Sequence, residues 1–388
     1  MDKKKALLVV AGGRLAPDVL PLLYLQPDLV LTVTSEEGWE GEKAFLDIAN
    51  ALPSCQVEPP PGVNAYDLNV GMNACRELCK PYSDAEWTFT ITSAPKILAI
   101  AAYEVAKEMG VPCWYIDSQG DRIVSLVKKM EMEVDKQRFF HLSFDEYVKI
   151  QGRRCKRKEG PTKDYRSAAE GWDDIAQKIA LSPDTHLLTP ILYRHKKQGE
   201  INEVITKPIP LADLATLPLV RFLLDKGLLT STDPSTEQRE YYFASVNAAQ
   251  FLGTGDWLEV YVRHQTNQAK FADDVRWGYS IIRKRVNLEL DLAVMYKAQL
   301  VIAECKTNEN PFRGQYNYLR DIDAVADLLG RTYVSKIFIT NQPAEGESYK
   351  VFSQHAKDRN IIVVTKEELS KVGDIVKQAA MHPKYPRK

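Results

Sequence analysis

Two neighbouring apolar segments late in the chain are interrupted by charged residues, and few folds tolerate such a pattern. The first segment (residues 287–294) carries Asp291, and the second (residues 300–307) carries Glu304 and Lys306. Short apolar runs separated by a turn predict adjacent β-strands. Charged side chains inside such strands have a desolvation cost, which favours a functional explanation.

The three charges predict a metal-dependent hydrolytic site. Residues two apart in a strand share a face, so Glu304 and Lys306 project together, opposite Ala303 and Cys305. A hairpin brings Asp291 beside Glu304, and the Cys305 carbonyl adds a third hard oxygen of the kind that Mg²⁺ or Mn²⁺ prefers. Lys306 would orient an attacking water and help deprotonate it, while the metal stabilises charge on a scissile phosphate. The alternative is a surface hairpin with a solvated ion pair.

The N-terminal part alternates β-type runs with helical segments and predicts a doubly wound α/β sheet. Ligands of such sheets bind beyond the carboxyl ends of the strands. The residues there are small and polar, and suit phosphate: Gly13, Arg14, Thr34, Ser35, Thr92 and Ser93.

The length of the chain predicts its number of domains, and its net charge limits the partners that it can bind. A chain of 388 residues predicts two domains. Basic residues crowd into residues 153–158 beside Gly160 and Pro161, which favours an interdomain linker over a dedicated grip on nucleic acid. The net charge of −1 excludes a globally basic coat but allows a local basic groove.

No window is apolar enough to span a membrane, and the start of the chain lacks the pattern of a signal peptide. The six cysteines are scattered without paired spacing, which is typical of reduced thiols in a cytoplasmic protein. The phosphate-loop and HExxH motifs are both missing.

The C-terminal part is also α/β, with a mixed sheet at its centre. We expect Asp256 to cap a helix that begins near Trp257. Residues 211–242 predict a helix, a stop at Gly227 and a small hairpin, which allows a winged helix as an alternative. The basic residues flanking the charged hairpin would track a phosphate backbone, and the aromatic ones would stack on unpaired bases, although core packing is as good an explanation for the aromatic ones. These residues are Arg276, Trp277, Tyr279, Arg283, Lys284, Arg285 and Tyr296. At the start of the following helix, Gln315 and Tyr318 would contact a metal-bound water or a phosphate, or simply lie on the helix surface.

Asp291, Glu304-x-Lys306 and the strand–strand–helix order resemble the PD-(D/E)xK restriction-endonuclease-like nucleases. Further motifs resemble the CRISPR ancillary nucleases that join an N-terminal CARF sensor to this nuclease fold. They lie at residues 143–147, 255–259, 287–291, 304–307 and 356–359.

This resemblance implies a Rossmann-like CARF domain over residues 1–150, a basic linker over 151–167 and a PD-(D/E)xK nuclease domain over 168–388, with its core at about 245–388. It implies a homodimer that a cyclic oligoadenylate, commonly cyclic tetra-adenylate, activates in type III CRISPR defence. The activity implied is metal-dependent cleavage of single-stranded DNA or RNA and nicking of duplex DNA.

The resemblance also assigns roles to residues of the nuclease site. Asp291 and Glu304 are metal ligands, Lys306 is the catalytic lysine and Glu259 is an additional acidic residue near the metal. Glu289 shares a strand face with Asp291, and either binds metal or pairs with a cation.

The sensor departs from the CARF pattern, which often has Thr-Gly-Gly-Thr-Lys after the fourth strand. Here the segment reads Thr92-Ser-Ala-Pro-Lys96. The first hydroxyl and the lysine remain, so we expect phosphate binding at the N-terminus of a helix. Loss of both glycines limits how closely the backbone approaches a ligand. Arg14 is a further candidate phosphate contact.

Two other functions fit parts of the sequence. A ring nuclease would degrade the effector within the CARF pocket, and a CARF transcription regulator would use residues 211–242 as a winged helix. The set Asp291…Glu304-x-Lys306 argues against the regulator, because a DNA-binding module does not require it.

Overall fold

The structure, a computed structural model, divides into two compact units. Unit 1 comprises Met1–Arg154 and Lys297–Gln299, and unit 2 comprises Cys155–Tyr296 and Leu300–Lys388. The residues described are 3–12, 15–38, 41–53, 55–58, 62–117, 122–127, 134–197, 205–232, 239–283, 286–313, 316–330 and 334–383. Among them, no helix has the length and apolarity to cross a membrane.

Unit 1 is built on a seven-stranded sheet in the order β3-β2-β1-β5-β6-β7, with β4 paired to β2. All of its pairings are parallel except β6 with β7. The strands are β1 (Lys5–Val10), β2 (Leu29–Ser35), β3 (Gln56–Val57), β4 (Gly62–Val63), β5 (Glu86–Thr90), β6 (Cys113–Asp117) and β7 (Arg122–Ser125). Its helices are Ala16–Leu25, Glu42–Ala49, Leu68–Cys79, Lys96–Met109, Lys136–Phe139 and Phe144–Ile150, with a 3-10 turn at Lys80–Tyr82.

The predicted doubly wound α/β fold is confirmed in this unit. Strands β1 and β2 are buried along nearly their whole length, as parallel strands with covered faces are. Apolar side chains from both strands and from the helix Lys96–Met109 form one core. Strands β4 and β7 were not predicted from the sequence; both are short and add to the predicted sheet.

Unit 2 contains a mixed six-stranded sheet in the order β15-β14-β13-β12-β11-β8. Strands β13, β14 and β15 run parallel, and β11 and β12 are antiparallel. The sheet strands are β8 (Arg154–Arg157), β11 (Asp274–Arg283), β12 (Val286–Tyr296), β13 (Gln299–Lys306), β14 (Val334–Thr340) and β15 (Ile361–Val364). A separate hairpin pairs β9 (Leu229–Ser231) with β10 (Tyr241–Phe243).

Helices pack around this sheet. They are Tyr165–Glu170, Asp173–Ala180, Thr185–Lys197, Pro218–Asp225, Val246–Gly253, Asp256–Gln268, Tyr316–Leu328, Gly346–Asp358 and Val372–Met381, with 3-10 turns at Ala212–Leu214 and Lys366–Lys371. The predicted helix, Gly227 stop and hairpin of residues 211–242 are all present. The predicted linker is not wholly irregular, because Arg154–Arg157 forms the edge strand β8.

Candidate nuclease site

A tight hairpin places the predicted charged residues side by side. Lys297 and Ala298 connect β12 to β13 with positive φ angles of 47° and 62°, as a two-residue turn of the primed type requires. Such a turn fixes the register of the two strands. Along β13 the side chains alternate as predicted: Ala303 and Cys305 enter the apolar core, while Glu304 and Lys306 are half-buried on the other face.

Asp291 and Glu304 meet at the ammonium of Lys306. The Lys306 Nζ lies 3.5 Å from Asp291 Oδ2, forms an ion pair with the Glu304 carboxylate and donates to the Cys305 carbonyl at 3.2 Å. Asp291 Oδ2 also accepts the Cys305 N–H at 2.7 Å. The ring of Tyr318 lies beneath the same ammonium, with its centroid 5.3 Å away. The hairpin therefore directs three oxygen acceptors at one cation, the Lys306 ammonium.

A third acidic residue, Glu259, comes from the helix Asp256–Gln268. The cap position of this helix is Gly255, with φ of 90°, so the expectation that Asp256 is the cap was wrong. Asp256 is the first helical residue, and its carboxylate accepts hydrogen bonds from Tyr165 Oη at 2.8 Å and Thr254 Oγ1 at 2.6 Å. A left-handed backbone favours glycine, and glycine occupies that position here.

Gly255 also permits a close approach between this helix and the end of β13. A Cβ added to Gly255 would lie 2.9 Å from Thr307 Cγ2 and closer still to its hydroxyl. Thr307 directly follows Lys306. The missing side chain therefore lets the first turn of the Glu259 helix pack against the strand end that carries Glu304 and Lys306.

Burial and crowding of the carboxylates perturb their titration. Glu259 is only 8% exposed, and burial, then the charges of Asp291 and Asp256, raise its pKa well above the ordinary value. Burial and the charge of Asp291 raise the pKa of Glu304 to about 7, despite the opposing effect of Lys306. A site that disfavours its own negative charges in this way attracts a cation.

Burial disfavours the charged form of Lys306, but Asp291 and Glu304 outweigh it and raise the pKa of its ammonium well above the usual range. In this structure Lys306 is therefore a hydrogen-bond donor and a positive charge. Its expected help in deprotonating water stays a prediction.

The oxygen ligands of this site suit a hard divalent cation. Asp291, Glu304 and the Cys305 carbonyl already surround one cationic group, the Lys306 ammonium. Within the described ranges, no three His, Cys, Asp or Glu side chains converge closely enough to hold an ion. The residues present therefore fit an ion held by two carboxylates and a carbonyl, with Glu259 outside that set.

Glu289 lies apart from this group. Its carboxylate is 62% exposed and pairs with Lys158 Nζ at 3.0 Å. Of the two roles expected for Glu289, the structure shows pairing with a cation.

The predicted effector-binding hydroxyls of unit 1 are engaged within the protein. Thr92 Oγ1 accepts the Ile116 N–H at 2.7 Å. Ser93 Oγ accepts the Gly12 N–H at 2.9 Å and donates to the carboxylate of Asp18. A Cβ at Gly12 would collide with the Ser93 carbonyl, so these loops are tightly packed.

The other predicted sensor residues differ in accessibility. Lys96 is exposed at the first position of its helix, where a phosphate would meet free backbone N–H groups. Thr34 is buried, and the Ser35 hydroxyl donates to the Gly38 carbonyl at 3.4 Å. Gly13 and Arg14 lie outside the described residues. The effector-binding roles of all these residues stay predictions.

Comparison with known proteins agrees with this geometry. Residues 246–383 match the family model described as the Card1-like endonuclease domain, a segment that contains Glu259, Asp291, Glu304 and Lys306. This segment is a Card1-like endonuclease domain. No curated protein matches the sequence significantly.

The whole chain is similar in fold to several solved structures. Can2 from Sulfobacillus thermosulfidooxidans, in complex with cyclic tetra-adenylate, has 19% identity and a TM-score of 0.72, over 97% of this chain and 98% of that chain. Protein VC1899 from Vibrio cholerae has 17% identity and a TM-score of 0.73, over 96% and 97%. A type III CRISPR defence DNA nuclease activated by cyclic oligoadenylate has 15% identity and a TM-score of 0.52, over 100% of this chain and 53% of that chain. The predicted family resemblance is confirmed.

Two basic residues that precede the Card1-like endonuclease domain in sequence, Lys158 and Arg166, were not predicted to lie near its acidic residues. Lys158 had been grouped with the linker. The Arg166 guanidinium stacks on Trp277 at 4.1 Å and donates through Nε to the Lys158 carbonyl at 3.1 Å. Both act electrostatically on Glu259, since each opposes the rise in its pKa. The basic run before Gly160 is a sequence signal for Lys158 alone, and no sequence pattern singles out Arg166.

Other flanking residues are engaged inside the domain. Trp277 is 2% exposed, in the core, and its Nε1–H donates to Glu170 at 2.9 Å, so core packing is the correct explanation for it. Tyr296 packs edge-on against Phe271, and Arg276 pairs with Asp274. Lys284, Arg285, Gln315 and the side chain of Arg283 lie outside the described part of the chain.

Proposed function

We propose that this protein is a metal-dependent endonuclease of type III CRISPR defence that a cyclic oligoadenylate switches on. One observation carries the nuclease part. Within a Card1-like endonuclease domain, the oxygens of Asp291, Glu304 and Cys305 converge on one cationic group. This is the arrangement that a metal-assisted phosphodiesterase needs.

Asp291, Glu304 and the Cys305 carbonyl would hold Mg²⁺ or Mn²⁺, which are hard ions that prefer oxygen ligands. Such an ion, when bound, supplies Lewis-acid stabilisation of the charge that develops on the phosphate. Lys306 would leave its ion pair with Glu304 and donate to the attacking water or to a phosphate oxygen. The Tyr318 ring supports the ammonium from below. Glu259 adds negative charge that strengthens cation binding without contacting the ion.

The activation part of the proposal rests on the fold of the whole chain. Can2, solved with cyclic tetra-adenylate, covers 97% of this chain. We assign the sensor to residues 1–150 and the nuclease to residues 168–388, with β8 in the stretch between them. Cyclic tetra-adenylate is the proposed activator, a homodimer the proposed assembly and the cytoplasm the proposed location. A symmetric cyclic ligand suits the two-fold axis of a dimer.

The substrates we propose are single-stranded DNA and RNA, with nicking of duplex DNA. The test incubates labelled single strands and supercoiled plasmid with the wild-type chain and Mn²⁺ or Mg²⁺. Each mixture contains no effector, cyclic tetra-adenylate or cyclic hexa-adenylate. Glu304→Gln is the inactive variant. Glu347→Gln is the matched control, because Glu347 lies on another helix and its side chain is 80% exposed.

We expect cleavage that requires a divalent cation, an effector and Glu304, and that Glu347→Gln leaves unchanged. Cleavage that survives Glu304→Gln would reject this site as the catalytic centre. If the effector itself is consumed equally by the wild type and by Glu304→Gln, a ring nuclease is the correct assignment for unit 1. If no nucleic acid is cut under any condition, the regulator becomes the better hypothesis.

A further inference from the structure

Lys158 directly follows the edge strand β8 and lies near the carboxylates of the nuclease site. Its backbone N–H donates to the Gly278 carbonyl at 2.7 Å, which continues the pairing of β8 with β11. The register of β11 with β12 pairs Trp277 with Leu292 and Tyr279 with Leu290, so Gly278 lies level with Asp291. Asp291 in turn accepts the N–H of Cys305 on β13. The edge strand therefore brings a cation to the level of the active site.

Gly278, which lies between Lys158 and Asp291 across the sheet, has no side chain. Its φ is 62°, and an added Cβ would lie 2.5 Å from Arg166 Nη1 and 2.7 Å from Cζ. The guanidinium therefore lies directly on the backbone of β11, stacked on Trp277 and bonded to the Lys158 carbonyl. Arg166 Nη1 is buried and has no hydrogen-bond partner among the described residues.

The side chain of Lys158 is held weakly. It is 37% exposed, and its partner Glu289 is 62% exposed. Ion pairs with this much solvent contribute about 0–1 kcal/mol, so another anion easily replaces one partner. Burial opposes the charge of Lys158, but Glu259, Glu289 and Asp291 raise its pKa, so the ammonium stays charged.

A nucleic-acid strand that approaches this site meets a field of negative charge from Glu259, Asp291 and Glu304. Proteins bind nucleic-acid strands chiefly through cationic side chains that contact the phosphates. The ammonium of Lys306 is already engaged by two carboxylates. Lys158 has an exposed end at the same level and offers further N–H donors, since an ammonium carries three.

We propose that Lys158 binds a backbone phosphate of the substrate strand beside the catalytic carboxylates, exchanging Glu289 for the phosphate, and that Arg166 is a positioning residue that holds Lys158. This inference rests on the proposed nuclease function. It adds a substrate contact from the segment that precedes the Card1-like domain.

The test measures binding of a fluorescent single-stranded DNA to the full chain that carries Glu304→Gln, with Mn²⁺ and cyclic tetra-adenylate. Adding Lys158→Gln is expected to raise Kd about 10-fold or more, because a charge-assisted contact is lost. It should also lower the slope of log affinity against log salt by about 0.7, the effect of one phosphate contact. Lys158→Arg should keep most of the affinity and of the slope.

Lys156→Gln is the matched control. It removes the same charge two residues away, where Lys156 pairs with Glu159 and is 62% exposed. If Lys156→Gln and Lys158→Gln lower the affinity for DNA equally, the effect is a general electrostatic attraction, and the proposal is overturned. An unchanged Kd and salt slope for Lys158→Gln would also overturn it.

A second variant covers the case in which Lys158→Gln fails to fold. Glu289→Gln releases Lys158 from its partner, so it should tighten binding several-fold, and only while Lys158 is present. Tightening that persists with Lys158→Met would contradict the exchange. Because binding is read without cleavage, an inactive wild-type chain rejects the proposed function, whereas absent coupling between Lys158 and Glu289 rejects this inference alone.

Discussion

Glu304 gives the sharpest prediction, since the chemistry that makes it useful also destabilises the folded chain. Its pKa is raised from the ordinary 4.5 to about 7, first by burial and then by the charge of Asp291. Each pKa unit corresponds to about 1.4 kcal/mol, so about 2.5 units cost the folded state about 3 kcal/mol once Glu304 is ionised. Glu304→Gln, which keeps the shape but not the charge, is expected to remove that cost.

The stability gained by Glu304→Gln must increase as the pH rises. A carboxyl with a raised folded-state pKa holds its proton more tightly in the folded chain than in the unfolded one. Its favourable contribution is therefore complete below pH 4.5 and is lost as the pH rises through about 7. Metal-free Glu304→Gln should match the wild type near pH 4.5 and be more stable above pH 7.

Scanning calorimetry in the presence of a chelator checks this prediction. For a unit of this size, about 3 kcal/mol corresponds to a rise in Tm on the order of 5–10 °C at pH 8. Added Mn²⁺ should narrow the difference, because the wild type binds the ion more tightly. The exposed variant Glu347→Gln should not shift. A Tm for Glu304→Gln at or below that of the wild type at pH 8, or a gain independent of pH, would refute the reasoning.

Three further predictions concern the same site. Gly255→Ala should lower stability by about 1–3 kcal/mol, because of its left-handed backbone and the collision with Thr307, and should reduce kcat; thermal melts and cleavage rates measure both, and wild-type values would contradict the packing argument. Tyr318→Ala should lower kcat several-fold while Tyr318→Phe does not, since the ring face supports Lys306; equal effects in single-turnover assays would reject the cation–π role. Asp291→Asn should stay folded, because an amide oxygen still accepts the Cys305 N–H, yet lose cleavage by at least about 100-fold and lose Mn²⁺ binding by calorimetry; undiminished Mn²⁺ affinity would remove Asp291 from the ligand set.

The strand pair was predictable because alternation in a strand is local. Glu304 and Lys306 share a face because they lie two residues apart in a strand. The tight turn pairs their strand with the preceding one, which carries Asp291. Glu259 is different, since it lies on a helix far away in sequence. No spacing rule links it to Asp291, and only its motif resemblance indicated a role.

The edge strand and the sensor loops escaped prediction for physical reasons. Arg154–Arg157 has no apolar face, because it pairs along one edge only and stays mostly exposed, so its sequence is indistinguishable from that of a linker. In unit 1, Thr92 and Ser93 were expected to face a ligand. Their hydroxyls satisfy backbone N–H groups and Asp18, contacts that depend on loop packing and that the motif does not reveal, while their role in ligand binding stays a prediction.

Strand β8 has a consequence for how such proteins can be recombined. The first segment of unit 1 ends at Arg154, and Lys158 comes directly after strand β8, which covers Arg154–Arg157. Strand geometry has a period of two, so inserting or deleting one residue here turns Lys158 to the opposite face of the sheet. A graft of a foreign N-terminal unit onto this nuclease therefore has to join upstream of Arg154, or add residues in pairs if it joins within β8.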